Sequence, residues 1–564
     1  MSAPVSYGGW QSERSGFMGQ LSGAGFLLVA AGSGLLLLPV NLGSWAAALV
    51  CVPAALLLFL LAFGRVHGLS ADEWISLAVR HQIAVATQRN VFLSGAFAPR
   101  SRTSGRQPTD LPGVLARLRF LEASDGLGGT VGISFDPLTD TYTAVARVTF
   151  PGLALVDTDE QTSRVAAWAA FLRSHCTEDS PIVRIAVHQR CLPDDGAALR
   201  SWADRHFAAD APEAAVRALT EVMEDAGPSA TVRETYLSVT LSAARARFAI
   251  RSSGGGQVAA AAVLVREAHA LQGGLASAGL HVVNWLAPRA LAATVRTAYD
   301  PEAQVVLARR AAEAAGGADT GTGERGTGGT GTGGTGTGGT GTGGTGTGGT
   351  GTGGTGTGEN GVSGTSAGET GVNSPRPALA AGVDPDLAGP AHAETTWGTY
   401  RHDGAWTVSY QVRTWPQSEV YATFLQPLLR PRANARRSLS LVYEPVRPRR
   451  ARQELARERV KRDSARAFRA RTGRDESEDE RREASVARAQ DVARASGQGV
   501  VRMTAAIAVT VTDPRELETA CAELQADAAA AGLEVRRIWG AQDVGFSVAA
   551  LPLAQGLPER RAGF

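Results

Sequence analysis

Two long apolar runs near the N-terminus dominate the pattern of hydrophobic and polar positions. They cover Gly23 to Val40 and Ser44 to Phe63, and neither contains a charged residue. Runs of about 18–20 apolar residues match the ~30 Å hydrocarbon core of a bilayer. Because only Asn41-Leu42-Gly43 separates them, we predict a two-helix transmembrane hairpin (helices about 23–40 and 44–63). A single buried helix and a cleaved signal peptide fit this pair of runs less well.

The charges around the two runs predict the orientation of the hairpin. Arg14 precedes the first run, Arg65, His67 and Arg80 follow the second, and the loop between the runs has no Arg or Lys. By the positive-inside rule both termini are expected in the cytoplasm, in a multi-pass protein of the inner (plasma) membrane. Residues 1–22 would then be an N-terminal cytoplasmic segment.

After the hairpin, helical and strand periodicities alternate, which predicts α+β cytoplasmic domains. Residues 64–109 are expected to form a juxtamembrane helix and a linker, since Trp74, Ile75 and Ile83 recur at helical spacing. A first α+β domain is predicted over residues 110–301. Its expected strands are Thr141–Phe150, Pro181–Leu192, Thr235–Ser242 and His281–Leu286, and its expected helices are Thr162–His175, Asp195–Phe207, Pro212–Asp225 and Gly256–Gly279.

A second α+β domain with a charged helical hairpin is predicted over residues 396–564. Its order, β-α-β, a helical excursion and β-α-β again, is typical of a ferredoxin-like unit. The expected strands are Tyr400–Pro416, Arg437–Val446, Met503–Thr512 and Leu533–Gly540, and the expected helices are Tyr421–Leu429, Arg450–Arg494 (broken at Gly473) and Asp513–Ala531.

A low-complexity segment separates the two predicted domains. Residues 316–395 centre on a nearly perfect GTGTGG repeat with no apolar side chain to bury. Such a sequence cannot offset the entropy of its own ordering. We predict a disordered Gly/Thr repeat linker, which serves as a flexible tether.

Composition adds few constraints. The formal net charge is +2, with 44% hydrophobic residues, so a core can form and bulk charge selects no partner. The four cysteines are Cys51, Cys176, Cys191 and Cys521, and none forms a CxxC pair. A disulfide framework is therefore not expected, and a reducing compartment suits the soluble part.

No sequence motif for nucleotide hydrolysis is present. A P-loop needs a glycine-rich loop followed by Lys, and the only lysine, Lys461, lies in the charged segment RERVKRDSAR. The run SSGGGQ (Ser252 to Gln257) precedes a predicted helix and could offer its amides to an anion. Without a lysine or an acidic magnesium ligand, an ordinary loop is the better interpretation.

Other candidate chemistry is equally sparse. His188 with Cys191, and His175 with Cys176, are close in sequence but supply too few ligands for zinc. The acidic group Asp157, Asp159 and Glu160 fits a turn and helix start. No HExxH or GxSxG motif occurs. We therefore predict no catalytic residue, no metal ligand, no cofactor and no enzymatic activity.

One basic stretch leaves an alternative open. RPRRARQELARERVKR (Arg447 to Arg462) could contact nucleic acid or anionic lipid. Glu454 and Glu458 interrupt its arginines, and an acidic run, Asp475 to Glu480, follows. A solvated helical hairpin is the commoner outcome of such a pattern.

Several motifs resemble a family of actinobacterial integral membrane proteins that accompany type IV secretion or conjugation-like gene clusters. They are YGGW (Tyr7 to Trp10), LPG (Leu111 to Gly113) and FPGLALVD (Phe150 to Asp157) with the later Val165 and Trp168. The C-terminal half resembles the non-catalytic N-terminal region of the conjugation ATPase. It carries YQVRTWP, SLSLVYEPV and GAQDVGFSVAALPLA (Gly540 to Ala554), and the likeness ends at Phe564, where a motor would follow.

The resemblance implies a membrane-anchored scaffold subunit that docks a separate ATPase and small membrane subunits. The sequence leaves open whether the subunit forms an oligomer. Two alternatives remain. One is a nucleic-acid- or substrate-binding membrane adaptor that uses the Arg447 to Arg462 helix. The other is a structural membrane component of a type VII-like secretion system, which shares the plan of two helices and a cytoplasmic domain.

Overall fold

The computed structural model describes most of the chain on either side of the Gly/Thr repeat. The described ranges are 23–43, 45–66, 69–95, 110–150, 156–193, 210–226, 231–307, 382–416, 418–430, 435–454 and 499–556, with a few separate residues between them. Residues 1–22, 96–109 and 311–381, and most of the predicted helices Asp195–Phe207 and Arg450–Arg494, lie outside them.

Two apolar helices open the described chain. α1 (Gly23–Leu42) and α2 (Trp45–Phe63) pack against each other. Gly32 of α1 lies against α2, where a Cβ atom would be in van der Waals contact with Phe59 Cζ at 3.4 Å. α2 alone is long and apolar enough to cross a bilayer, with a mean hydropathy of 2.7, while the apolar part of α1 covers only Gly25–Pro39.

A third helix follows α2 through a small β-hairpin. β1 (Arg65–Val66) pairs with β2 (Leu69–Ser70), and α3 (Ala71–Ala86) begins at the next residue. The amide of Ala71 donates to the carbonyl of Gly64 at 2.9 Å. The first residue of α3 therefore lies directly beside the residue that follows α2.

All other described strands belong to one antiparallel sheet of 13 strands. Its order is β3-β10-β11-β12-β14-β13-β7-β8-β6-β5-β4, with β15 beside β12 and β9 beside β6. The strands are β3 (Val91–Leu93), β4 (Arg119–Ser124), β5 (Thr130–Asp136), β6 (Thr141–Thr149), β7 (Ile182–Pro193), β8 (Thr231–Ser242), β9 (His281–Trp285), β10 (His392–Thr395), β11 (Tyr400–His402), β12 (Ala405–Thr414), β13 (Arg436–Val446), β14 (Val500–Val511) and β15 (Glu534–Arg537).

The same strand connectivity occurs twice in this sheet. Residues 119–299, the first unit, place four strands in the order β9-β6-β8-β7, and residues 392–549, the second unit, place theirs in the order β15-β12-β14-β13. The hairpin β4–β5 extends the first unit beside β6, and the hairpin β10–β11 extends the second unit beside β12. The units meet where β7 pairs with β13, with Val187 opposite Leu441 near the middle of the contact.

Because the two units share one sheet, the Gly/Thr repeat does not separate two independent domains. Residues from both sides of the Gly/Thr repeat form one compact body. The predicted linker also ends too late, because residues 382–395 include a short 3-10 helix (Pro385–Leu387) and β10. Ala388 and Ala393 from this stretch are buried in the core, so residues 382–395 belong to the folded body.

Helices cover both faces of the sheet. The described α-helices after α3 are α4 (Thr158–Ser174), α5 (Glu213–Ala226), α6 (Ala243–Ser252), α7 (Gly256–Ala270), α8 (Gln272–Ser277), α9 (Pro288–Tyr299), α10 (Leu517–Ala530) and α11 (Gln542–Ala549). On one face, α4 and α6 to α8 share an apolar core with the first unit, and α10 shares one with the second. On the other face, α9 and α11 share a single core with both units.

Alternate residues of strand β8 point to opposite faces of the sheet. Leu237, Val239 and Leu241 enter the apolar core under α7, while the alternate side chains point to the opposite face, as the strand period of two requires. That second face carries buried hydroxyls, which pair with one another: Thr143 with Thr240 at 2.9 Å and Thr407 with Thr510 at 2.7 Å. Burial of these groups is tolerated because they are hydrogen-bonded.

Three predicted elements differ in the structure. The helix expected over Gly256–Gly279 is two helices, α7 and α8. The strand expected over Tyr400–Pro416 turns back at Asp403, where φ is +43°, to give β11 and β12. The helix expected over Tyr421–Leu429 is only a 3-10 helix, Gln426–Leu429.

The ferredoxin-like prediction for the second domain consequently does not describe the fold as a whole. The connection from β12 to β13 contains no α-helix among its described residues, and the four strands are part of a much wider sheet. What the structure shows is a mixed α and β body built on one large antiparallel sheet.

Candidate functional site: the aromatic junction

Helix α3 is joined to the sheet by a row of aromatic rings. We define the aromatic junction as Trp74 and His81 of α3 with Trp397, Trp539 and Arg537 of the second unit. The Trp74 and Trp397 ring centroids lie 5.7 Å apart, and those of His81 and Trp397 5.5 Å apart, both edge to face. Trp397 then stacks on Trp539 at 6.3 Å. Such pairs contribute about 0.5–1.5 kcal/mol each beyond area burial.

Two glycines let the loops of the junction approach each other. Trp397 precedes Gly398 in the β10–β11 turn, and Trp539 precedes Gly540 after β15. A Cβ atom at Gly398 would lie 2.8 Å from Trp539 Cζ3, and one at Gly540 would lie 2.8 Å from Trp397 Cζ3. Each tryptophan thus occupies the space that a side chain on the other loop would need.

Arg537 connects the junction to α10. Its guanidinium lies 4.9 Å from the Trp539 ring centroid, donates from Nε to the carbonyl of Gly398 at 2.8 Å and pairs with Glu518 of α10 at 3.3 Å. The amide of Gly540 donates to the carbonyl of Trp397 at 2.7 Å. The contacts therefore run without a gap from α3 through two loops to α10.

The titratable groups behind the junction are buried. Burial raises the pKa of the Asp543 carboxyl, against the smaller effect of the nearby His81. Burial also raises the pKa values of the Tyr299 and Tyr400 hydroxyls well above their usual range. Among the described residues no group of three His, Cys, Asp or Glu side chains could hold a metal ion. The arrangement is suited to holding α3 in place.

A buried ionic cluster lies deeper in the first unit. Arg190 of β7 pairs with Glu234 of β8 at 2.6 Å, donates to the Tyr236 hydroxyl at 3.1 Å and donates to the carbonyl of Thr294 in α9 at 3.1 Å. Burial opposes the charge of Arg190, but Tyr236 and Glu234 outweigh it and raise its pKa. The pKa of Glu234 is lowered, because the charge of Arg190 overcomes the opposing effect of burial.

His188 and Cys191 point to opposite faces of β7 and cannot share a metal ion. The ring of His188 faces Tyr236, at 6.5 Å between centroids, whereas the Cys191 thiol contacts the carbonyl of Leu429 on the other side. Burial, with the charge of Arg190, lowers the pKa of His188 to about 3. Burial raises the pKa of the Cys191 thiol. Both are core residues.

The remaining short-range candidates have structural roles. His175 follows the last residue of α4, and the Cys176 thiol donates to the carbonyls of Leu172 and Val500. Asp157 is the residue before α4, and Asp159 and Glu160 lie in its first turn, where acidic side chains favour the helix dipole. The acidic group therefore lies at a helix start as predicted, although α4 begins at Thr158, four residues before the predicted Thr162.

The SSGGGQ run is the tight turn between α6 and α7. Gly254, Gly255 and Gly256 have φ between +75° and +100°, and the amide of Gly255 donates to the carbonyl of Ile250. Left-handed backbone at consecutive positions explains the glycines. The turn allows α7 to leave α6 at 100°.

Only the start of the Arg-rich stretch is described. The amide of Arg449 donates to Glu178 at 2.7 Å, and Glu454 pairs with Arg450 at 2.9 Å and also with Arg502. In this part acidic side chains accompany the arginines. Lys461 and the acidic run Asp475 to Glu480 lie outside the described residues.

Sequence reasoning places Trp74 on α3 but misses its partners. A signal was present, because the dipeptide Trp-Gly occurs at 397–398 and again at 539–540. A large ring followed by the residue with no side chain indicates a close approach of loops. What the pattern could not give is that the two loops face each other.

A comparison with protein-family models finds no match for the chain, and a comparison with curated proteins finds none either.

Proposed function

We propose that the chain is a membrane-anchored structural subunit whose α1–α2 hairpin lies in a bilayer and whose sheet is a rigid cytoplasmic platform. The proposal rests on the direct connection from the apolar helix α2 through α3 to the sheet. The apolar surface of α2 is unpartnered at Leu49, Leu56 and Leu60, which are 67–80% exposed. Immediately after it, α3 is held to the sheet by the aromatic junction. An exposed apolar helix of this length is costly in water and favourable in lipid.

The charge pattern supports the orientation given above. Arg65, Arg80 and Arg89 follow α2, whereas the turn between α1 and α2 carries no charge. We infer a multi-pass protein of the plasma membrane with its sheet on the cytoplasmic side.

The strand order of the two units supports a more specific fold assignment, which we include in the proposal. Each unit arranges four strands in the order fourth, first, third, second along the chain, the arrangement of a ferredoxin-like unit. We infer two such units joined edge to edge through β7 and β13. Their continuous sheet supports the role of a platform.

The resemblance described above suggests the assembly that this platform serves. We propose a type IV secretion or conjugation-like apparatus, in which the platform docks a separate ATPase and small membrane subunits. The lack of a P-loop lysine supports the view that the chain itself hydrolyses no nucleotide. A type VII-like apparatus is the alternative with the same plan.

Membrane anchoring is tested by fractionation of cells that produce the full chain. After alkaline extraction the full chain should stay in the membrane pellet, and a variant lacking residues 23–63 should be soluble. Recovery of the full chain in the soluble fraction would refute the proposal.

Docking is tested with the full chain in detergent and a purified P-loop ATPase from the same gene cluster. Co-elution in size-exclusion chromatography, without ATP turnover by the chain alone, is expected. Deletion of residues 396–564 would not be a valid test of docking. It removes β13 from its pairing with β7 and exposes the core of the first unit, so loss of binding could reflect misfolding.

A further inference from the structure

The face of α3 that points away from the aromatic junction is apolar and exposed. Ile75, Val79 and Ile83 are 41%, 51% and 55% exposed. They are spaced four residues apart, so they form one stripe along the helix. Trp74 and His81, which contact Trp397, lie on the opposite side of the same helix. One side of α3 thus meets the sheet, and the other is left about half exposed.

The position of α3 in the chain restricts what can cover this stripe. The hydrogen bond from Ala71 to Gly64 fixes the first turn of α3 beside the end of α2. A helix of 16 residues is about 24 Å long, so α3 begins at the surface from which α2 emerges and extends at most about 24 Å from it. If α2 crosses the bilayer, the lipid headgroups are the nearest surface to the stripe.

The charges of α3 do not select the surface that covers the stripe. Asp72 and Glu73 lie in its first turn, and Arg80, which is exposed, lies next to Val79. Glu73 lies near Arg536 of β15, so its charge is partly balanced on the side of the sheet. The match to helices that lie in the membrane interface therefore rests on the apolar stripe and on its place directly after α2.

We propose that α3 lies flat in the membrane interface, with Ile75, Val79 and Ile83 inserted at the boundary between headgroups and acyl chains of the bilayer. This proposal rests on the membrane anchoring proposed above. α3 would then act as a spacer: one side contacts lipid, the other holds Trp397, and the sheet is kept at a fixed height and angle to the membrane.

The test is a depth measurement by electron paramagnetic resonance on the full chain. A nitroxide is attached to one introduced cysteine at a time, in a Cys51→Ala background; Cys176, Cys191 and Cys521 are buried. The labelled positions are Val79→Cys on the stripe, Leu56→Cys on α2 and Leu127→Cys. Leu127 is 87% exposed between β4 and β5, at the edge of the sheet opposite β3.

In vesicles of phosphatidylcholine and phosphatidylglycerol, the label at Val79 should collide with a polar nickel reagent about threefold less often than the label at Leu127. Its collisions with oxygen should be more frequent. The label at Leu56 should report a greater depth than that at Val79. The unlabelled background protein sets the baseline.

Two outcomes would overturn the proposal and leave the proposed function intact. In the first, Leu56 reports lipid while Val79 is as accessible to the nickel reagent as Leu127. In the second, the Val79 spectrum is broadened by a neighbouring label and sharpens on dilution with unlabelled chain, which would show that a second copy covers the stripe. If Leu56 also reports water, membrane anchoring itself fails.

Discussion

The left-handed backbone of Gly540 lets the loop after β15 close on Trp397. We predict that Gly540→Ala lowers the free energy of unfolding by about 2–3 kcal/mol. About 1–2 kcal/mol comes from the φ of +69°, and the rest from displacement of the Trp397 ring 2.8 Å away. Urea unfolding of the full chain in detergent measures the loss.

Gly254→Ala is the matched control for this prediction. Gly254 also has a positive φ, +100°, but no atom lies within 4 Å of the place that a Cβ would take. Only the backbone part of the cost, about 1–2 kcal/mol, should remain there. Equal losses in the two variants would mean that the contact with Trp397 contributes nothing.

Buried histidines make the stability of the body depend on pH. The pKa of His188 falls to about 3 in the folded chain, against about 6.5 when unfolded. Because the unfolded chain then binds the proton more tightly, stability is full above pH 6.5 and is lost as the pH falls toward 3. At pH 5 this histidine alone should cost about 2 kcal/mol relative to pH 7.

The variant His188→Gln tests that pH dependence. It should lose about 2 kcal/mol less than the wild-type chain between pH 7 and pH 5, measured by urea midpoints at both values. His402, whose pKa burial lowers to about 4, is present in both chains and cancels in the difference. Parallel pH profiles for the two chains would contradict the prediction.

At the scale of elements, Arg190 ties β7, β8 and α9 together. We predict that Arg190→Met destabilises the body by about 3 kcal/mol, because Glu234 loses its 2.6 Å partner and keeps only the Tyr236 hydroxyl at 3.1 Å and Arg147 at 4.0 Å. The double variant Arg190→Met/Glu234→Gln should recover part of this loss. Thermal unfolding of the full chain provides the measurement.

Arg217→Met on α5 is the control for the ionic cluster. Arg217 and Glu213 form an i, i+4 pair at 3.9 Å with side chains 74% and 87% exposed. Such surface pairs contribute about 0.3–0.5 kcal/mol. A loss at Arg190 no larger than that at Arg217 would show that the cluster is not a structural tie.

Elements with a strong period could be predicted from the sequence, and elements with a weak one could not. β7, β8 and β13 alternate over 11 or 12 residues, so their existence was visible. β3 and β10 have only three and four residues, too few to show a period. Their strand conformation comes from pairing with neighbours that are remote in the chain. The aromatic junction was missed for the same reason, since it depends on which loops meet.

At the scale of the whole molecule, the Gly/Thr repeat connects two units that belong to one sheet. Helix α9 contacts the chain on both sides of it. The amide of Val383 donates to the carbonyl of Arg289 at the start of α9, and Arg296 binds the carbonyl of Gly389 at 2.6 Å and Asp403 at 3.0 Å. The chain that returns at residue 382 is therefore held by α9, the last α-helix described before the repeat.

The joint between the units does not depend on the connection through the repeat. Seven residue pairs join β7 to β13, from Arg437 with Cys191 to Tyr443 with Ile185. Arg184 of β7 pairs with Glu444 of β13 at 3.1 Å and donates to the carbonyl of Ala554 at 2.6 Å. The core between α9 and α11 draws residues from both units.

We therefore predict that cutting the repeat leaves the body assembled. A protease site inserted between residues 340 and 341 should give two fragments that co-elute in size-exclusion chromatography in detergent and separate only in denaturant. The uncut chain carrying the same site is the control. Separation of the fragments would expose paired backbone groups and buried side chains, which costs free energy. Cutting the covalent link does not change this cost. Separation of the fragments in native buffer would mean that the units are held together by the connection, and that the continuous sheet is not a stable platform.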